Sequence, residues 1–205
     1  MLYHQMSCDI LAIAYHGYSD SSGKPTEAGL KLDAEAVMRF VKSDLAEHYS
    51  ERGGVFVLGR SLGGAVAAHA VSSLSKEDTL MIDGLILENT FVSIEGMADA
   101  MFSVLARLKS LILTNHWQTI ELVKKIELPI FYVTCIDDEI VPAEMTHKLY
   151  EASTAASFKE IWVNPKGSHN DTWATDKQGY MSNLRSFMNK ALKESKLTKE
   201  VKREI

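Results

Sequence analysis

Apolar residues along the chain alternate between short unbroken runs and longer stretches that repeat every three to four positions. Ile10 to Tyr15 is an apolar run of six residues that predicts a first strand, followed by the turn-forming "GYSDSSGKP". From Thr26 to His48 the apolar positions Leu30, Ala34, Val37, Val41 and Leu45 recur at helical spacing, which predicts one amphipathic helix. "VFVLG" (55–59) predicts a strand, and the small residues of "SLGGAVAAHAVSSL" after it suit a closely packed helix. "IDGLILEN" (82–89), "LPIFYVTC" (128–135) and "FKEIWVN" (158–164) predict three further strands. Between them, "TFVSIEGMADAMFSVLARLKSLIL" reads as mostly helical, with Met97, Met101, Phe102 and Leu105 as core or cap packing. Pro142 opens a helix through Leu149 and Tyr150, since proline is tolerated in a first helical turn. Thr175 to about Ser195 closes the chain as a helix. Strands that alternate with helices in this way predict an α/β fold, a mostly parallel sheet with helices on both faces. Ligands in such folds gather at the carboxyl ends of the strands, so those ends should carry any chemistry.

Composition changes this picture little. The 205 residues fit a single domain, and 46% apolar with 24% charged residues is ordinary for a globular protein. A formal charge of -5 argues against a nucleic-acid partner. Lys124 and Lys125 are an isolated pair, and the basic residues after Lys190 alternate with glutamates as on a solvated helix. Cys8 and Cys135 give no disulfide framework; each lies beside an apolar run, where a buried reduced thiol is expected. A metal site needs more thiols or clustered histidines, so neither metal nor organic cofactor is expected. No apolar run approaches the roughly 18 residues that span a bilayer, and nothing resembles a signal peptide. The chain as given is therefore expected to be soluble and cytoplasmic, with no membrane span.

Three predicted strand ends carry chemical groups. The strand at 55–59 runs directly into "GRSLGG", whose first five residues fit G-x-S-x-G between a strand and a helix. In that context Ser61 occupies a sharp, strained turn, and the flanking glycines remove side chains that would collide there. Its hydroxyl projects above the sheet, and the Leu62 amide at the helix start points toward an oxyanion. The competing reading, a phosphate loop, lacks its Gly-Lys-Ser/Thr ending. A serine needs a base, and the base needs a carboxylate to fix its tautomer. "CIDDEIVP" offers Asp137, Asp138 and Glu139, and "NPKGSHND" offers His169. The order serine, acid, histidine is that of a hydrolase sheet. His4, His48, His69, His116 and His147 share no such position, and the residue types alone do not choose among the acids.

Four stretches, "YHGYSDSSGKPTEAGLKLDAEAV", "GRSLGGAVA", "LILENTFVSI" and "DEIVPAEMTHKLY" with "GSHNDTW", resemble the α/β-hydrolase superfamily and, more closely, its Bem46-like group. The resemblance extends from about Leu11 to Trp173. It implies Ser61 as nucleophile, His169 as base and, from the first position of D-x-x-V-P, Asp138 as the acid. It also implies a single hydrolase domain over 1–205, with 91–125 as a small helical cap. Family members carry a strand ending in His-Gly-Asn that supplies an oxyanion loop, and a later strand ending in Tyr-Arg-Gly-Tyr. "AIAYHGYSD" resembles the later one, with His16 in place of arginine, and "MLYHQMSCD" resembles the helix between the two. The resemblance thus implies that an N-terminal anchor, the first strands and the oxyanion loop are missing before Met1. A longer, anchored form would be membrane-associated.

The expected activity is a serine hydrolase acting on a carboxylic ester, thioester or amide, with a small-molecule or acyl substrate. The competing expectation is a truncated, non-catalytic hydrolase fold that acts in binding. Two consequences separate them. Without the intervening strand, either Ile10–Tyr15 slides across to pair with Val55–Leu58 or that edge stays open. Without its loop the second oxyanion amide is lost, unless residues 16–19 replace it, at about 3 kcal/mol or a hundredfold in rate.

Overall fold

The computed structural model describes residues 2–45, 53–101 and 115–203. Helix α1 (Leu2–Met6) is followed by α2 (Glu27–Phe40), which runs into a π-helical turn at Val41–Leu45. The Thr26 hydroxyl caps α2 by accepting from the Gly29 amide at 3.1 Å, satisfying one of the donors that every helix start leaves free. Leu30, Ala34, Met38 and Val41 form the buried stripe that the sequence repeat predicts, with Met38 in place of Val37. The rest of the predicted helix, 46–48, lies outside the described residues.

Strand β1 (Phe56–Arg60) leads through α3 (Leu62–Ser72) and the short α4 (Lys76–Thr79) to β2 (Gly84–Glu88). Helices α5 (Ile94–Met101) and α6 (Thr119–Val123) precede β3 (Ile130–Cys135), which is followed by α7 (Ala143–Ala152) and β4 (Lys159–Asn164). Helices α8 (Thr172–Thr175) and α9 (Lys177–Arg203) complete the order. The four strands form one parallel sheet in the order β1-β2-β3-β4. Residues 102–114, including Phe102 and Leu105, lie outside the described residues. Met97, from the same predicted segment, is half-buried against the core.

Side chains alternate between the sheet faces with the strand period of two. Leu85, Leu87, Ile130 and Tyr132 pack among residues of α3, α6 and α7, and α2 lies outside α3 in the adjoining cluster. Ile86, Phe131 and Val133 face the other way, against Tyr180, Met181, Leu184 and Phe187 of α9. Phe187 stacks on Phe131 with ring centroids 5.1 Å apart. All residues of β2 and β3 are buried, as unbroken apolar runs require when both faces are covered.

The first predicted strand is corrected. Residues 8–15 are irregular, and Ile10, Leu11 and Ile13 are 53%, 51% and 37% exposed. Among the described residues β1 pairs only with β2, so the edge next to β1 is open and Leu58 on it is 40% exposed. Apolar composition gives 10–15 a strand preference, but a strand exists only where a ladder partner accepts its backbone. Cys8 is corrected too: it is half-exposed, whereas Cys135 is buried as expected.

Candidate active site

Ser61 sits where β1 turns into α3, with φ 53° and ψ -122°. A left-handed φ is costly for serine and persists only where the surroundings enforce it. The close approach of strand and helix does so. A β-carbon on Gly59 would lie 2.1 Å from the Gly63 carbonyl oxygen, and one on Gly64 would lie 2.5 Å from the Thr90 side chain. Only glycine fits either position. Leu62 is the first residue of α3, so its amide is among those with no acceptor within the helix. The Ser61 hydroxyl is not taken up as a helix cap.

Asp138 and His169 meet across the ends of β3 and β4. The His169 Nδ1 lies 2.8 Å and 3.0 Å from the two Asp138 carboxylate oxygens. The Asp138 side chain is 0% exposed and that of His169 5%. One carboxylate oxygen also accepts from the amides of Ile140 (2.9 Å) and Val141 (2.7 Å). These bonds keep an ionised carboxylate tolerable in a buried place. Asp137, which the residue types left open beside it, points into solvent. Glu139 is exposed, and its carboxylate accepts the His169 backbone amide at 3.1 Å. That bond draws the Glu139 carboxyl below the ordinary carboxylate range.

The structure brings Ser61 and His169 to the same rim of the sheet without a hydrogen bond between their side chains. Such contacts are often long in unliganded enzymes and tighten around substrate. Other residues tie the two together, and the sequence reading did not single them out. The Ser61 amide donates to the Glu88 carbonyl at 2.9 Å, and the Thr90 hydroxyl donates to the Ser61 carbonyl at 2.7 Å. The His169 carbonyl accepts from Asn89 Nδ2 at 3.1 Å and from Arg60 Nη1 at 3.0 Å. Beneath them Glu88 is buried and accepts the Tyr180 hydroxyl at 2.8 Å. Burial pushes its carboxyl above the ordinary range, against the opposing pull of Tyr180 and Arg60. A run of polar residues, "ENT", ending a fully buried strand was the available signal.

The loop after Tyr15 has the first three of its amides, 16 to 18, engaged within the protein. The His16 amide donates to Asp33 at 2.8 Å, and its Nδ1 pairs with the other carboxylate oxygen. The Gly17 amide donates to the Ser22 carbonyl and that of Tyr18 to the Tyr15 carbonyl. The His16 bonds hold the loop on α2, and the other two amides close turns within the loop. A cavity of about 350 Å³ opens at the opposite, amino-terminal end of the sheet, lined by Val71, Leu74, Ile82, Lys125 and Pro129 among others. Ser61, Asp138 and His169 do not border it. Among the described residues no cluster of histidine, cysteine and carboxylate side chains has the arrangement of a metal site, and no helix is long and apolar enough to cross a membrane.

No family model matches the chain. It is 37% identical over 190 residues to the uncharacterized membrane protein YNL320W of Saccharomyces cerevisiae, covering 92% of this chain and 63% of the relative. It is 33% identical to protein bem46 of Schizosaccharomyces pombe, covering 92% and 60% of the two. The chain thus spans about three fifths of the length of these curated relatives. The solved structure of the Pyrococcus furiosus esterase Pf2001 matches with a TM-score of 0.66 at 19% identity, covering 87% of this chain and 69% of that one. That likeness is one of fold. With the parallel sheet, the strained serine at the first strand end and the sequence similarity taken together, the chain has an α/β-hydrolase fold and is related in sequence to protein bem46.

Proposed function

We propose that the chain is a serine hydrolase cleaving a carboxylic ester, thioester or amide through Ser61, His169 and Asp138. The buried Asp138–His169 pair carries this reading. With Nδ1–H held on the carboxylate, Nε2 is the unprotonated nitrogen, the tautomer a general base requires. As Ser61 Oγ bonds to the substrate carbonyl carbon, its proton passes to His169 Nε2. The carbonyl oxygen becomes an anion that the Leu62 amide stabilises, and Asp138 stabilises the imidazolium. The intermediate collapses, the bond to the leaving group breaks, and His169 returns the proton to that group. Water then attacks the acyl-serine, gives its proton to His169 and releases the acid, and Ser61 recovers its hydrogen.

One observation favours the alternative, a hydrolase fold that binds without turnover. The amides of residues 16 to 18 are all engaged elsewhere, so three of the four loop positions expected to offer a second oxyanion donor are taken. A fluorophosphonate probe decides between the two. The folded chain should be labelled and Ser61→Ala should not. Equal labelling of both removes Ser61 from the mechanism, and no labelling of a folded chain favours the binding protein.

A further inference from the structure

We infer that the corner Glu88-Asn89-Thr90 at the end of β2 sets the spacing between nucleophile and base, with Asn89 and Thr90 as positioning residues for Ser61 and His169. This rests on the proposed hydrolase reading. Three consecutive residues reach both partners. The Glu88 carbonyl accepts the Ser61 amide at 2.9 Å, Thr90 Oγ1 donates to the Ser61 carbonyl at 2.7 Å, and Asn89 Nδ2 donates to the His169 carbonyl at 3.1 Å. Asn89 Nδ2 also reaches Thr172 Oγ1 at 2.7 Å, in the helix that follows the histidine loop.

The backbone explains how adjacent residues serve two different loops. Asn89 has φ +45°, a left-handed value that asparagine tolerates better than other side-chain-bearing residues. Its amide still donates to the Val133 carbonyl at 2.9 Å, continuing the ladder to β3. The turn therefore starts on the sheet and directs one side chain toward β4's loop and the next toward the elbow. Asn89 and Thr90 are both 0% exposed, so neither bond competes with water. A carbonyl accepts only, which fixes the Asn89 amide with its NH2 toward His169. Arg60, the residue before the nucleophile, reaches the same carbonyl and the Asn170 side chain at 2.9 Å. Loss of Asn89 is thus partly cushioned. Loss of the Thr90 hydroxyl leaves the Ser61 carbonyl with bonds from its own helix alone, such as that from the Gly64 amide at 2.9 Å.

Productive attack needs the reacting groups placed within a fraction of an ångström, and about 1 Å of misplacement costs roughly a hundredfold. Thr90→Val removes the hydroxyl at the same volume, Thr90→Ser restores it, and Asn89→Gly keeps the left-handed backbone without the amide. Fluorophosphonate labelling rates of the full chain should fall about tenfold in Thr90→Val and Asn89→Gly, and about a hundredfold in the double variant. Thr90→Ser should recover to within about twofold of the parent. Rates equal to the parent in folded Thr90→Val and Asn89→Gly would overturn the inference while leaving the hydrolase reading in place. A second readout does not need activity: the His169 ring resonances, identified by their loss in His169→Gln, should move in Asn89→Gly and Thr90→Val. If both folded variants leave that ring unmoved, the corner does not position the base, whether or not the chain is labelled. A chain that fails to label but shows the shift refutes the hydrolase reading and sustains the corner's role in placing the histidine.

Discussion

Replacing Asp138 with asparagine changes one oxygen to an NH2 group at constant shape, and the surrounding bonds dictate where that group goes. One carboxylate oxygen accepts from the Ile140 and Val141 amides as well as approaching the imidazole; the other faces only His169 Nδ1, at 2.8 Å. The asparagine carbonyl therefore stays on the two backbone amides, because turning it away would leave both buried donors without an acceptor. The NH2 then faces His169 Nδ1 and forces it to accept. The ring proton moves to Nε2, and the nitrogen proposed to act as the base can no longer take a proton. The isosteric change in serine-protease triads costs about 10⁴ in kcat, which is about 5.4 kcal/mol of barrier at 1.36 kcal/mol per decade. Hydrolysis of a chromogenic short-chain ester, or the rate of fluorophosphonate labelling, measures it directly. Near-parent stability in urea would show that the fold survives. A folded Asp138→Asn chain working within tenfold of the parent would refute the assignment of tautomer control to this carboxylate.

Two further predictions concern stability. Burial raises the Glu88 carboxyl above its ordinary value of 4.5, so the folded chain binds that proton more tightly than the unfolded one. The stability this group contributes is fully present below about pH 4.5 and is lost as pH rises through its folded value. Glu88→Gln should therefore lose less stability than the parent between pH 4.5 and 8, read as urea midpoints; parallel curves would contradict the assignment. Ile10 and Leu11 are more than half exposed, so the double change to serine should alter stability by no more than about 0.5 kcal/mol. A loss above about 2 kcal/mol would mean that this segment is a buried strand.

Local chemistry made most of the fold legible in the sequence. Runs such as "GLILE" and "IFYVTC" have strand length and no polar break, so they had to be covered on both faces, and the structure buries both. The strained serine followed from the glycine at the strand end, since the close approach of strand and helix excludes any β-carbon at Gly59, whereas the crowded glycine on the helix side is Gly64 and not Gly63. The residue types of a serine, an acid and a histidine at three strand ends were equally plain. The choice of Asp138 over Asp137 was not, because adjacent carboxylates have the same local chemistry. It is the turn after β3 that buries Asp138 beside His169 and leaves its neighbour in solvent.

Partners distant in the chain were beyond the reach of pattern. Ile10–Tyr15 has the composition of a strand, but a strand is a relation between two segments, and tertiary structure supplies no ladder for it here. The His16-Gly17 pair looks capable of donating amides to an oxyanion, but Asp33 and Ser22 have claimed them. The corner at Asn89 and Thr90 links segments 29 and 80 positions away, a convergence set by the order of strands in the sheet. The sequence by itself determined which segments would be buried and which residues could do chemistry, since both follow from hydrophobicity and functional groups. Only the tertiary structure decided which of those groups meet, because hydrogen-bond partners are chosen by distance in space.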